Sequence, residues 1–342
     1  MAAADELLDL LIVGAGPTGI AIGAEARKAG LSVLLVDRGP LVGNLLGFPT
    51  YMRFFTTRDL LEIADVPFAI PEEKPTRRQA LVYYQAVASK YRLPLALREE
   101  VTRVRRQGGL FEVNTRQGDE ERLRSARAVA LATGYFHNPR RLGVPGEDLP
   151  WVRSRYREPY EHYGDRVAVV GGGNTAVETA LDLWRNGAEV TLVHRGSQVR
   201  GSVKYWLKPD VENRIAEGSI AARFDSQVVG FETGEIELRG PQGNERLPTD
   251  YVYVLIGYTP DVALQEKCGV EIDSATLIPN FDPDTCESNV PGLYVAGTLQ
   301  AGARTDQIFI ESSRDHGARI VHHLVQRLGI SETPSPAATV DS

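Results

Sequence analysis

Cysteine is almost missing: the 342 residues include two, Cys268 and Cys286. They make no Cys-x-x-Cys pair, and two thiols cannot build a disulfide framework. The six histidines are scattered, and none joins cysteines or carboxylates at metal-ligand spacing, so no metal is expected. No apolar run is long enough to span a bilayer. The segment 1–9 carries acids where a secretory signal would be basic. These two absences predict no membrane partner and a cytoplasmic protein. Positive charge is in deficit, with 38 Lys and Arg against 45 Asp and Glu, a net charge of −7. Such a chain offers no field to attract nucleic acid or an anionic membrane. The local clusters Arg103, Arg105, Arg106 and Arg153, Arg155, Arg157 read as solvated strand or linker faces.

Glycine is plentiful, with 33 residues, and its placement is periodic. LLIVGAGPTGIAIGAEARKAGLSVLLVDRG at 10–39 returns as VAVVGGGNTAVETALDLWRNGAEVTLVHRG at 167–196, a shift of 157 residues. Under that shift Gly14, Gly16 and Thr18 meet Gly171, Gly173 and Thr175. Arg38 and Gly39 meet Arg195 and Gly196. Each copy has an apolar run ending in glycines, then a helical stretch, then a β-branched run, the grammar of a buried βαβ unit. The first glycine permits the tight strand-to-helix turn, and the second lets backbone approach a pyrophosphate. The third position needs a small residue, Gly19 in one copy and Ala176 in the other. The helix N-terminus then presents free N–H groups and partial positive charge to phosphate.

The copies differ where the second strand ends. Asp37 in the first can accept hydrogen bonds from ribose hydroxyls and repels a 2′-phosphate, which suits FAD or NAD(H). The second has His194 and Arg195, with Arg200 and Lys204 shortly after; cations there suit NADP(H).

Between the copies, Gly43–Thr57 is loop-like and aromatic. Its Phe48, Tyr51, Phe54 and Phe55 read equally as walls for a flat ring or as core. Helical spacing covers Arg77–Lys90, and alternating runs from Val101 to Val129 predict a β-meander. That meander leads into a buried strand ending at Thr133–Gly134. After a linker at 136–163 the second copy repeats the plan, with a meander between Ile220 and Val254 and a strand ending at Gly257. A further strand, Leu293–Gly297, needs a sheet partner and is expected to return to the first domain. One last helical stretch is expected over about 306–328.

The predicted class is therefore α/β: two Rossmann-like dinucleotide-binding domains in three layers, parallel sheets each with a β-meander, the second domain inserted in the first. The expected boundaries are 1–150 with 258–330 for an FAD domain and 151–257 for an NADPH domain. A flexible tail is expected at 331–342.

Three long stretches, GFPTYMRFFTTRDLLEIADVPF, HRGSQVRGSVKYWLKPDVENRIAEGSI and DQIFIESSRDHGARI, together with the two glycine motifs, resemble the bacillithiol disulfide reductases of YpdA type. These are thioredoxin-reductase-like flavoproteins, and the likeness covers most of 10–325. The resemblance implies non-covalent FAD, NADPH as donor and a homodimer or homotetramer. It implies FAD contacts at Gly14, Gly16, Pro17, Thr18, Gly19, Asp37, Arg38, Asn44, Val101, Thr133, Gly134 and Gly297, with the isoalloxazine near 44–56 and Gln307–Ile308. NADPH would use Gly171, Gly173, Asn174, Thr175, Ala176, His194, Arg195 and Arg200. The chain departs from that family at Thr18, where the family carries a cysteine, and at Thr298, where relatives often carry an acid.

Hydride transfer from NADPH to flavin needs little acid–base help; the protein stacks the rings and excludes water. The expected activity is thus NADPH-dependent reduction, through FAD, of a low-molecular-weight disulfide such as bacillithiol disulfide. The catalytic residue is unassigned, since Thr18 holds the family's cysteine position. Alternatives are ferredoxin- or flavodoxin-NADP reductase-type transfer to a small redox-carrier protein, a flavin monooxygenase, and a redox sensor without turnover. His194 and His316 read as packing or capping residues.

Overall fold

The computed structural model describes residues 7–305 and 307–330. Along the chain run β1 (Leu8–Val13), α1 (Pro17–Lys28), β2 (Val33–Asp37), α2 (Gly43–Leu46), α3 (Arg58–Leu61), α4 (Arg77–Lys90), β3 (Leu95–Leu97), β4 (Glu100–Gln107), β5 (Leu110–Gln117) and β6 (Glu120–Leu131). Next come β7 (Val152–Arg153), β8 (Arg166–Val170), α5 (Asn174–Arg185), β9 (Glu189–Val193), α6 (Lys208–Ala216), β10 (Ala221–Arg223), β11 (Gln227–Glu232), β12 (Glu235–Gly240), β13 (Gly243–Pro248) and β14 (Tyr251–Val254). The chain closes with α7 (Ala263–Lys267), β15 (Leu293–Val295), α8 (Ile310–Ser313) and α9 (His316–Leu328). The helix predicted over Arg77–Lys90 forms as α4, started by a capping box in which Thr76 and Gln79 satisfy each other's backbone amides.

The described residues fold as two units, 7–46 with 52–138, 259–305 and 307–330, and 47–51 with 139–258. In the first unit the strands run β3-β2-β1-β6-β5-β4, with β15 beside β6. β1 lies parallel between β2 and β6, with Ile12 level with Leu35 and Ala130. Burial on both faces explains the apolar run Leu10–Val13 within it. β6 is long enough to serve two roles. Its first half pairs antiparallel with β5, and its second half pairs parallel with β1 and β15. The meander of this unit is thereby continuous with the parallel sheet.

In the second unit the parallel order is β10-β9-β8-β14-β7, and β11-β12-β13 form a separate antiparallel sheet. Alternation along β8 builds two cores. Val167 and Val169 face α5 with Leu181 and Leu183. Ala168 and Val170 face the meander with Phe231, Ile236 and Leu238. Helix, sheet and meander make the three layers.

Two sequence expectations are corrected. Residues 139–150 and Tyr258, expected in the first domain, belong to the second unit. Leu142, Val144 and Leu149 pack against the meander core, and the Pro145 carbonyl accepts a bond from the Phe231 amide at 2.9 Å. Residues 47–51 also join that unit, through the Thr50 amide bonded to the Arg157 carbonyl at 2.8 Å. The single last helix is two, α8 and α9. The Phe309 amide donates to Ser312 Oγ at 3.0 Å and the Ser313 hydroxyl to the Phe309 carbonyl at 2.8 Å, local bonds that start α8 afresh. The tail expected at 331–342 lies outside the described residues.

Candidate functional site

In the first unit β1 meets α1 at Gly14–Gly19. Gly14 sits at φ +112°, and a β-carbon there would overlap the Ala132 carbonyl oxygen. Gly19 allows α1 to approach until a β-carbon would overlap the Gly14 oxygen. Gly16, the N-cap of α1, is different, because a β-carbon there would meet nothing within 4 Å. Its missing side chain thus leaves open space in front of a helix N-terminus with no acid in its first turn, the room an anionic pyrophosphate requires. Pro17 opens the helix without sacrificing a bonded amide.

Asp37 ends β2 beside this turn. Its Oδ2 accepts the Ala15 amide and its Oδ1 the Gly39 amide, both at 2.7 Å. The carboxylate is held in one orientation with lone pairs left for a diol. Arg38, next in the chain, is exposed. The Glu99 amide bonds the Asp37 carbonyl at 2.9 Å, which brings the start of β4, and Val101 with it, to this end of the sheet.

Further groups gather around Gly134 and Gly297. A β-carbon on Gly134 would lie 3.4 Å from Asn44 Nδ2 and 3.5 Å from Thr298 Oγ1. One on Gly297 would lie 2.8 Å from Thr18 Oγ1. Thr18 Oγ1 is itself 3.4 Å from Ser313 Oγ, and the Gly297 amide donates to His316 Nδ1 at 3.1 Å. Burial lowers the His316 pKa to about 4. The ring is therefore a neutral acceptor for backbone, the capping role expected of it. Ser313 was missed; buried serines in a helical stretch give no sequence signal. Thr133 adjoins Gly14, its amide nitrogen 3.2 Å from a β-carbon built there. Gln307 and Ile308 lie just before α8. The Gln307 amide bonds the Arg304 carbonyl at 3.1 Å, and the Tyr135 hydroxyl reaches the Thr305 carbonyl at 2.6 Å.

The second cradle repeats this plan with different contents. Gly171 touches the Leu255 carbonyl as Gly14 touches Ala132. Gly173, the N-cap of α5, again faces open space, and α5 has no acid in its first turn. Ala176 fills the third position, and exposed Thr175 follows Asn174. The His194 ring lies on the loop: a β-carbon at Gly172 would meet it at 2.6 Å and one at Gly196 at 3.0 Å. Burial, then the charges of Arg200 and Arg195, push its pKa down. The ring is 9% exposed and packs on the loop, the packing role read for it from the sequence. Arg195 and Arg200 are the exposed cations around it.

Lys204 belongs to a strap that the sequence only hinted at. The Arg200 amide bonds the Gly172 carbonyl at 2.9 Å, and the Lys204 amide bonds Asn174 Oδ1 at 2.9 Å. Residues 200–204 are thereby pinned at both ends to the glycine loop and to the first residue of α5.

Known proteins share this arrangement. The family described as pyridine nucleotide-disulphide oxidoreductase matches residues 11–297. The chain is 35% identical to bacilliredoxin reductase Bdr of Bacillus subtilis over 321 residues, 93% of this chain and 97% of that protein. The solved bacillithiol disulfide reductase Bdr (YpdA) from Bacillus cereus superposes with a TM-score of 0.91 at 32% identity, covering 94% of this chain and 100% of that one. A ferredoxin–NADP reductase from Ignicoccus hospitalis is 26% identical over 302 residues, 85% of this chain and 90% of that protein.

Proposed function

The chain belongs to the pyridine nucleotide-disulphide oxidoreductase family, and from that premise we propose that it draws electrons from NADPH to reduce a low-molecular-weight disulfide such as bacillithiol disulfide. It is an FAD- and NADP-dependent oxidoreductase. In this proposal the first cradle takes FAD and the second NADPH. One observation carries the assignment. The two cradles offer the same open space before a helix N-terminus, at Gly16 and Gly173, but opposite charge beside it, the Asp37 carboxylate in one and Arg195 with Arg200 in the other.

FAD, once bound, supplies the two-electron chemistry. The chain's residues place and shield it. Amides at the start of α1 hold the pyrophosphate and Asp37 accepts the ribose hydroxyls. Asn44, Thr133, Gly134 and Gly297 line the ring side, with Val101 at the adenosine end. The start of α5 holds the second pyrophosphate, and the two arginines take the 2′-phosphate by charge-assisted hydrogen bonds. A homodimer or homotetramer working in the cytoplasm completes the proposal. Among the described residues no helix is long and apolar enough to cross a membrane.

The test begins with the yellow holoprotein, bleached anaerobically by NADPH. Bacillithiol disulfide, ferredoxin and oxygen are then added in separate experiments. Rapid return of flavin absorbance with the disulfide alone supports the proposal. Return with ferredoxin alone transfers the chain to the ferredoxin–NADP reductase reading. A flavin that NADPH never bleaches makes it a sensor.

A further inference from the structure

A disulfide reductase ordinarily passes electrons through a thiolate of its own, because only the thiolate attacks a disulfide sulfur. This chain offers two candidates, and the structure disqualifies both. Cys268 caps α7 and packs among Leu264, Val270, Ile272 and Val290 on the first unit's core. Burial pushes its thiol up to about 12, away from the thiolate that attacks a disulfide. Cys286 is 1% exposed. It is locked in backbone bonds, its amide to the Asp282 carbonyl at 2.7 Å and its carbonyl to the Val295 amide at 2.9 Å. Burial raises its thiol as well. The two thiols are free, not bridged.

No sulfur lies in the glycine loops either. Thr18 stands in the first, against Gly297 and Ser313. A hydroxyl there is no substitute for a thiol: alcohols do not ionise near neutral pH and form no stable bond to a disulfide sulfur.

We propose that electrons leave the reduced enzyme without passing through any protein thiol. The reduced enzyme therefore stores two electrons per flavin and hands both directly to the acceptor. This deepens the function proposed above and rests on it for the identity of the acceptor. In the balanced reaction, NADPH gives up a hydride, two electrons and one proton's worth of hydrogen, and becomes NADP⁺. The acceptor's S–S bond takes the two electrons and breaks. Its two sulfurs bind the hydrogen from the hydride and one proton from solvent, giving NADPH + H⁺ + RSSR → NADP⁺ + 2 RSH. No cysteine changes oxidation state.

Two measurements on the intact holoprotein test this without any acceptor. Anaerobic titration with NADPH is expected to end at one equivalent per flavin; an end point at two equivalents overturns the proposal. A short pulse of iodoacetamide before and after NADPH, read by intact mass, is expected to give the same labelling. A cysteine that becomes labelled only after NADPH overturns it. Cys268→Ser then checks the acceptor step. Reoxidation by bacillithiol disulfide is expected within about twofold of the wild type, and loss of reoxidation in a variant that NADPH still bleaches overturns the proposal. A wild-type enzyme that no disulfide reoxidises sinks the proposed function, while titration and labelling still decide the route of the electrons.

Discussion

The two βαβ turns are one solution adapted twice, and the adaptations sit at matched positions. In the first unit Asp37 reaches back to the amides of Ala15 and Gly39. In the second the His194 ring lies over Gly172 and Gly196, the counterparts of those residues. A carboxylate is small, so position 15 tolerates a methyl group. An imidazole is not, so position 172 has none. Deeper in the helix, Ala21 lies against Gly317 of α9 in the first unit. Its counterpart is Glu178, on the stripe of α5 where Asn174 holds the strap and Asp182 accepts the Tyr156 hydroxyl at 2.5 Å. The first helix is wedged between sheet and α9; the second turns the same face to polar groups. A duplicated motif thus retains the features its ligand backbone demands and changes those its neighbours demand.

The sharpest way to break this comparison is at the third glycine position. Gly19→Ala would drive a methyl into the Gly14 oxygen. Its expected cost is about 3 kcal/mol, the upper end of overpacking, with loss of bound flavin. Ala176→Gly, the reverse exchange in the second unit, is expected to cost about 1 kcal/mol. Urea unfolding with flavin absorbance measures both. Equal penalties would mean that the helices approach their sheets equally closely.

Arg195→Ala probes the charge difference. Losing a charge-assisted contact of about 1.5–3 kcal/mol should raise the KM for NADPH about ten- to hundredfold and leave that for NADH nearly unchanged. A parallel rise for both nucleotides would remove the 2′-phosphate from the account.

Gly16→Ala and Gly173→Ala separate cofactor space from packing space. Neither methyl meets protein within 4 Å, so apoprotein stability should hold within about 0.5 kcal/mol. FAD affinity should fall for the first variant and NADP⁺ affinity for the second, each about tenfold, the scale of one lost close contact. Calorimetric titration of each variant with both cofactors shows whether the losses cross over.

The smallest effect concerns Glu178. Burial, and then the Asp182 charge, push its carboxyl up to about 7 from an ordinary 4.5. An acid whose folded pKa is raised costs stability as it ionises. Wild-type stability should therefore decline as pH rises from about 4.5 to about 7 and level off above. Glu178→Gln has no charge to bury, so its melting temperature should gain on the wild type across that window, by about 2–4 °C per kcal/mol recovered. A difference that stays constant from pH 5 to pH 8 would show that Glu178 is solvated.

Much of the molecule could be read from residues alone, because the information was local. Glycine spacing, strand-length apolar runs and the helical spacing of apolar residues act within a few residues, and they marked both dinucleotide turns, α4 and both meanders. The charge at the end of β2 or β9 lies at a fixed distance from its glycine loop, so it too was legible. Tertiary structure decided whatever depends on which remote segments meet. It made one meander an extension of its sheet and the other a separate layer, moved residues 139–150 onto the second core, and split the last helix. It laid the His194 ring on the glycine loop, where burial and two arginines lower its pKa through space. It also set Thr18 against Ser313 and Gly297, nearly 300 residues away in sequence, buried Cys286 and packed half-buried Cys268 against the first unit's core. Periodicity and spacing dictate which elements form; desolvation and contact distance, which dictate what their side chains can do, exist only once those elements have packed.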